Sequence, residues 1–311
     1  MTDHDLVRHA RASLAVLFEP GNRQLHDLVA VHGPVATWHG LADGSLPLPG
    51  VRGDLRRVPV KRLWEVAARA ADTADCGGGR VVTPEDDDWP RGLPDLAAVP
   101  ARSGGDGAPV GALCLWVRGD AAVADTLALS VTVVGARACT AYGGHVAQHL
   151  GYGLAEQGWT VVSGGGFGVD AAAHKAAMVG GVTVAVLPCG LDRPYPIQHA
   201  AMLTTIADTG LLVSLWPPGT PPLRPRFTAN GWLLAALTGG TVVVEAAHCT
   251  GPLIVLQEAI ALGRAGMVVP GPVTSAQSAG CHTALREDSR VLLVTGVEDV
   301  LAELDAHAAP N

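Results

Sequence analysis

The sequence predicts a doubly wound α/β protein with a mainly parallel sheet, preceded by a small helical domain. Three observations carry that prediction. From Ser130 onward, apolar strands alternate with helix-length segments. Nearly every one of those strands is apolar throughout, as strands covered by helices on both faces are. Residues 1–75, in contrast, show apolar positions at helical spacing only. A length of 311 residues allows about two domains. We draw them as 1–75 and 76–311, with the sheet core at 130–311.

The elements follow in order. LVRHARASLAVLF is helical, PGNRQLHDLVAVHGP reads as turn, helix, turn, and VKRLWEVAARAAD is an amphipathic helix. Arg52, Arg56, Arg57, Lys61 and Arg62 crowd this region, either as a solvated face or as a second basic surface for a polyanion. A short strand at 80–83 runs into an acidic turn. Its consecutive aspartates Asp86, Asp87 and Asp88 lack the ligand spacing of a cation site and read as solvated. Residues 100–111 are a Gly- and Ala-rich loop, and ALCLWVRGD is a strand ending in a turn. The strands SVTVVGA, WTVVSGGG, VTVAVLPCGL, LLVSLW, TVVVEAA, MVVPGP and RVLLVTG come next. The helices YGGHVAQHLGYGLAEQG, GVDAAAHKAAMVGG, IQHAAMLTTIADTG, NGWLLAALTGG, GPLIVLQEAIALGRAG, CHTALRED and VEDVLAELDAH alternate with them. Units of this length imply right-handed crossovers and parallel pairing.

Composition narrows the classes of function. Hydrophobic residues make up 48% and charged residues 16%, which can bury a substantial core and argues against a wholly disordered chain. No apolar run reaches the roughly 18 residues of a membrane span, and the polar, acidic start argues against a secretory signal. The six cysteines form no CxxC pair and read as buried, reduced thiols, as in a cytoplasmic protein. A net charge of −8 opposes non-specific nucleic-acid binding across the whole surface. The charge is uneven, however. Residues 131–231 carry one net positive charge and the rest carries nine negative ones. An anion fits best in that middle segment.

Ligands of open parallel sheets bind beyond the C-terminal strand ends, near a topological switch point. The richest such place is SGGGFGVDAAAH, where Ser163, Gly164, Gly165, Gly166 and Gly168 precede a helix. Glycines admit a ligand to the backbone, and a helix start offers free N–H groups and a positive dipole end. A tight strand-to-helix turn uses the same glycines. The segment forms neither GxGxxG with glycine at all three places nor a P-loop. Gly135 and Arg137 close the neighbouring strand, and a guanidinium there can clamp the same phosphate. Asp170 reads as a helix-capping carboxylate. Lys175 reads as a phosphate contact or a solvated helix residue, and Glu245 as a contact to a ribose, a base edge or nearby backbone N–H groups. Catalytic patterns are missing: Ser163 lacks a Gly-x-Ser-x-Gly elbow, Cys189 beside His199 reads as a packed thiol, and no HExxH signature marks a metal. We expect no enzyme activity, metal or cofactor.

Together these residues resemble the DNA-processing protein A (DprA/Smf) family, over most of the chain. The motifs stand in the family's order. Gly135-Ala136-Arg137 with Tyr142-Gly143 matches GxR…YG, and Ser163 to Asp170, ending at His174, matches SGxAxGID.AAH. Residues 185–196 match AVLxCGLDxxYP, and PPGTPP spans Pro217–Pro222. Phe227, then Val244-Glu245-Ala246 and Thr250-Gly251, then Gly263-Arg264 and Pro270-Gly271 complete the series. The resemblance implies an extended Rossmann domain behind a small helical domain, working as a cytoplasmic homodimer. It implies binding of single-stranded DNA and loading of RecA recombinase onto it, chiefly in natural transformation. It assigns phosphates to Arg137 and Lys175 and a base to Phe227; one stacked base contributes about 1–3 kcal/mol. No C-terminal winged helix is expected in this sequence. The expected DNA- and phosphate-binding set is Gly135, Arg137, Ser163, Gly164, Gly165, Gly166, Gly168, Asp170, Lys175, Arg224, Arg226, Phe227, Asn230 and Glu245.

Two elements depart from the family pattern. F-x-x-R-N-R-I-I-A-G-L is here FTANGWLLAAL, with both arginines gone, at Ala229 and Gly231. Arg224 and Arg226 lie just upstream as substitutes. SGSLITA is here TGPLIVL, without two of the hydroxyls. Losing phosphate contacts weakens single-strand binding and flattens its salt dependence by about 0.7 per contact. Two alternatives stay open. One is a nucleotide sensor or nucleotide N-glycosidase on the same scaffold, since Gly239-Gly240-Thr241 through Glu245 lies one residue from PGGxGTxxE. The other is a protein-interaction module that kept the fold and lost its ligand.

Overall fold

The computed structural model describes residues 2–46, 59–72, 79–98 and 111–308. Four helices come first: α1 (Asp3–Leu17), α2 (Arg23–His32), α3 (Pro34–Asp43) and α4 (Val60–Asp72). Thr2 opens α1 with a capping box, and Gly33 separates α2 from α3 at φ 79° before Pro34 starts the next helix. That break lies inside the segment read as a closing turn, so α3 is an unforeseen helix. Leu14, Leu17, Phe18, Leu25 and Trp64 form the core of this region together with Cys114 and Trp116. The helices therefore close directly on the sheet. Lys61 and Arg62 are exposed on α4, while Arg52, Arg56 and Arg57 lie outside the described residues.

Nine strands form one sheet: β1 (Gly79–Val82), β2 (Leu115–Arg118), β3 (Ser130–Val134), β4 (Thr160–Gly164), β5 (Thr183–Leu187), β6 (Leu211–Ser214), β7 (Gly240–Val243), β8 (Ala265–Val268) and β9 (Val291–Leu293). Their order is β1-β2-β6-β5-β4-β3-β7-β8-β9. The seven strands from β3 to β9 are parallel, as expected from their apolar runs. β1 and β2 extend the sheet past β6 in antiparallel register. The described chain is thus a mostly parallel α/β sheet with helices on both faces.

The intervening helices are α5 (Val123–Leu127), α6 (Ala141–Glu156), α7 (Val169–Gly180), α8 (Ala200–Thr209), α9 (Arg224–Leu237), α10 (Gly251–Ala261), α11 (Ala279–Glu287) and α12 (Val297–Ala308). α6, α7 and α12 cover one face around Val131, Val133 and Val161. α9 and α10 cover the other around Val134, Val162 and Trp216. Each fully buried aliphatic side chain contributes about 1.5–3 kcal/mol, so this double layer supplies much of the stability. α9 begins at Arg224, well before the predicted NGWLLAAL. Pro225 lies in its first turn, where a missing N–H breaks no helical bond.

Three other expectations change. Asp86 is not solvated: it accepts from the Thr83 N–H at 2.6 Å and from Arg8 at 2.6 Å, and so ties the turn to α1. Asp88 accepts from the Ala124 N–H at 3.0 Å. Cys114, Cys189 and Cys281 are buried, but Cys249 is exposed, on a loop residue at φ 56°. Among the described residues, no helix is long and apolar enough to cross a membrane.

α6 and α7 meet at unusually short range. A Cβ on Gly151 would lie 2.5 Å from the Ala173 carbonyl oxygen, so only glycine lets the two backbones touch there. Alanine has the higher helix propensity, and tertiary packing overrides it. Gly151→Ala is expected to lower the urea-unfolding free energy by roughly 1–3 kcal/mol, the usual cost of overpacking.

Candidate functional site

The chain runs outward from β3 through β4, β5 and β6, then returns to place β7 on the other side of β3. That reversal is the switch point, and the turns after β3 and β4 open there into a cleft of about 740 Å³. Its floor is nearly bare backbone: Gly135, Ala136, Gly164, Gly165 and Gly166. Arg224, Phe227, Asn230 and Gly231 of α9 form one wall. Thr250, Gly251 and Pro252, at the N-terminus of α10, form another. That helix start has neither an acidic residue nor a side-chain cap, so its positive end faces the cleft unopposed.

Two cations and one carboxyl group border the cleft: Arg137, Arg224 and Asp170. The Arg137 guanidinium lies 5.0 Å from the centroid of the Phe227 ring. Tyr195 meets Phe227 edge-on, with centroids 5.7 Å apart. A cation, an aromatic face and an open backbone floor therefore converge. Phosphate fits the first and third, and a planar base fits the second.

Asp170 sits beneath them. One carboxylate oxygen accepts from the Gly166 N–H at 3.2 Å. The residue borders the cleft, yet its carboxyl is packed among the glycine turn, Ser163 and Gly135. Burial pushes its pKa up to about 6, against the opposing pull of the Gly166 N–H and Arg137. Gly168, at φ 75°, lets α7 start against the carbonyls of Ala136 and Arg137. The Val169 N–H donates to the Ala136 carbonyl at 3.2 Å, which fixes the approach.

Five residues of the expected set lie elsewhere. Ser163 is fully buried and donates to the Val133 carbonyl at 2.7 Å. Gly168 packs against the β3 turn as described. Lys175 is exposed beside His145, His149 and Tyr152 in a separate hollow between α6 and α7. Arg226 is paired with Glu19 at 2.6 Å, and the Trp216 indole donates to the same carboxylate at 2.9 Å. Helical periodicity explains this: Arg224 and Arg226, two apart, point to different sides of α9. Glu245 is buried and accepts from the Thr140 N–H at 2.9 Å and the Thr140 hydroxyl at 2.6 Å, so it holds the start of α6. Of its three readings, the one toward nearby backbone matches these contacts, with the Thr140 hydroxyl added.

The packed-thiol reading of Cys189 matches its surroundings. The thiol is buried, faces the Arg193 carbonyl at 3.2 Å, and burial pushes its pKa up to about 12. His199 instead donates to the Gly165 carbonyl at 2.9 Å. Sequence reasoning missed Tyr195 and Gln277 as cleft residues. Tyr195 had a signal, since it ends the CGLDxxYP motif. Gln277 had none; it is placed by its carbonyl, which accepts from the Ala246 N–H at 2.7 Å.

The family model described as DNA recombination-mediator protein A matches residues 80–305. The chain belongs to that family. A Mycobacterium tuberculosis protein bearing the name DNA processing protein DprA is 42% identical over 303 residues, covering 96% of this chain and 75% of its own. The X-ray structure of DprA from Streptococcus pneumoniae superposes with a TM-score of 0.71 at 28% identity, over 97% of this chain and 98% of that one. DprA from Helicobacter pylori, whose structure concerns its single-stranded DNA binding mode, gives a TM-score of 0.61 at 24% identity. It covers 73% of this chain and 96% of its own, and at that identity the likeness is one of fold.

Laid position by position on FTANGWLLAAL, the DprA pattern's arginines fall on Asn230 and Trp232, not on Ala229 and Gly231. Asn230 is buried in the cleft wall, and its amide donates to the Val186 carbonyl at 2.9 Å. Trp232 borders a different hollow, with Pro20, Gly21 and Leu96.

His174, quoted from the family motif, is structural. It is fully buried between the Gly164 carbonyl at 2.8 Å and the Thr183 hydroxyl at 2.7 Å. Burial lowers its pKa to about 4. The unfolded ring, near 6.5, binds a proton first, so His174 makes stability fall as pH drops from about 6.5 to 4. Asp170 acts with the opposite sign. Its native carboxyl binds a proton before the unfolded one, so it makes stability rise as pH drops from about 6 to 4. In the overlap the two contributions oppose each other. Urea midpoints across that range are expected to fall more steeply with acidification in Asp170→Asn than in the parent, and less steeply in His174→Gln.

Proposed function

We propose that this cleft binds single-stranded DNA and that the chain acts as a recombination mediator, presenting the strand to a RecA-type recombinase. The observation that carries this reading is the Arg137 guanidinium held over the Phe227 ring beside a floor of bare glycines. Such a site holds a phosphate and stacks a base without reading its identity, because every base has a π-face. The DNA recombination-mediator family and the strand-binding relative from Helicobacter support it. A homodimer working in the cytoplasm, the RecA partnership and a part in natural transformation belong to the same proposal.

No bond-breaking step is needed. The glycosidase alternative rested on Glu245, whose two oxygens are both held by Thr140, while the carboxyl that borders the cleft is Asp170, bonded to the Gly166 N–H. Asp170 and the two arginines tune charge instead. As pH falls through about 6 the Asp170 carboxyl is neutralised, and repulsion of a phosphate in the cleft falls with it.

The test is fluorescence anisotropy of a labelled oligo-dT of about 30 nucleotides, a length covering several stacking sites. Binding is expected to weaken with added salt. Arg137→Ala should reduce affinity and flatten the salt slope by about 0.7, the loss of one phosphate contact. Arg226→Ala should leave the slope unchanged and lower the unfolding midpoint, since its partner is Glu19. Binding should strengthen from pH 7.5 to 5.5, and part of that gain should vanish in Asp170→Asn. No binding by the parent at low salt would remove the proposal.

A further inference from the structure

The glycine turn carries a second aromatic platform, outside the cleft. Phe167 stands between Gly166, which lines the cleft, and Gly168, which lies against the Arg137 backbone. Its side chain is 42% exposed. The His199 ring meets it edge-on, with centroids 4.5 Å apart and planes at 63°. Ile197, in the 3-10 turn Ile197–His199, is 67% exposed. His199 is not loose. Its Nδ1 lies 2.9 Å from the Gly165 carbonyl, and a carbonyl only accepts, so that nitrogen carries the proton and the ring is fixed. One turn of five residues thus holds Phe167 at its tip and anchors the ring behind it.

We infer that Phe167, backed by His199, is a second base-stacking site for the strand held in the cleft. The inference rests on the single-stranded DNA reading of that cleft and names its next subsite. A lone exposed phenylalanine is ordinary. Here a continuous run of contacts joins it to the first platform. Phe227 lies under Arg137, the Arg137 carbonyl lies against Gly168, and Phe167 is the adjoining residue. Arg137 is exposed; its guanidinium lies at the Phe227 ring and its backbone packs against Gly168, the residue after Phe167, so a strand whose phosphate meets Arg137 runs from the Phe227 wall toward the Phe167 turn. The occupant is a base of the same strand. An apolar partner would meet the Arg137 charge at one edge of the platform, whereas a nucleotide pairs its phosphate with it.

The experiment measures oligo-dT affinity for the parent, Phe167→Ala, Phe167→Tyr and Arg137→Ala, with a thermal midpoint for each. Phe167→Ala is expected to weaken binding about five-fold or more, the low end for one stacked base, at an unchanged salt slope. Phe167→Tyr should restore it, because tyrosine keeps the ring. On an abasic oligonucleotide of equal length, the parent and Phe167→Ala should bind alike. Equal binding of the parent and Phe167→Ala to oligo-dT, while Arg137→Ala weakens it, overturns this inference and leaves the cleft reading standing. An equal loss on the abasic strand also overturns it. No binding by the parent overturns the cleft reading itself.

Discussion

The site depends on how closely α7 approaches the turn after β3. At Gly168 the backbone takes a left-handed φ, and the carbonyls of Ala136 and Arg137 occupy the space of a side chain. A Cβ there would drive helix and strand apart. Several features follow from that contact. The Val169 N–H reaches the Ala136 carbonyl, and Asp170, next along the helix, folds back onto the Gly166 N–H. The glycine turn is thereby held flat as the cleft floor. Arg137, fixed at its backbone, has a free side chain that lies over Phe227. His174, one helical turn further, locks the same turn from behind through the Gly164 carbonyl. The floor is rigid because its polar groups are satisfied by the helix that follows it.

Local charge matters more here than total charge. The chain is acidic overall, at −8. The cleft nevertheless gathers two guanidinium groups and the positive end of α10 around one carboxyl. Potentials in a cleft follow the nearby groups, and distant surface charges are screened within about 10 Å at ordinary salt. Arg226 and Glu245 keep further charges out of the balance, since each is committed to a structural partner. An acidic protein can in this way offer an anion site without a basic surface.

Much of the fold was legible in the sequence, because burial on both faces leaves a strong mark. The seven strands from β3 to β9 are mostly Val, Leu and Ala, broken only by small hydroxyl residues such as Thr132, Ser163 and Thr241, and glycine or proline punctuates their ends. The boundaries of α9 and the helix α3 were not legible. Each has a proline in its first turn: Pro34 reads as a turn residue in the sequence, and Pro225 lies outside the predicted helix. At the site, the strand-end residues Gly135, Arg137 and Gly164 to Gly166 come together at the cleft, whereas Ser163 and Glu245 do not. Among the helix residues, Asp170, Arg224, Phe227 and Asn230 also border the cleft. Lys175 and Arg226 are basic and close in sequence to cleft residues, but helix phase turns each one away. Glu245 shows a different limit. A strand-end carboxylate has the same sequence signature whether it meets a ligand or caps a helix, and only the position of Thr140 decides between them.

The lost arginines weigh less than their number suggests. Of the two positions, Trp232 faces a hollow beside Pro20 and Leu96 and never borders the cleft. Only Asn230 does, so at most one cleft cation is missing. Arg224 lines the same cleft from the first turn of the same helix, and its position there follows from Pro225 starting α9 early. A side chain at a helix start also leaves the Asn230 position free for a different task. The Asn230 amide reaches the Val186 carbonyl and pins α9 to β5. In this chain the α9 cation at the cleft therefore stands at the exposed beginning of the helix and not in its buried middle. There it avoids the desolvation that a buried guanidinium would suffer and still borders the cleft.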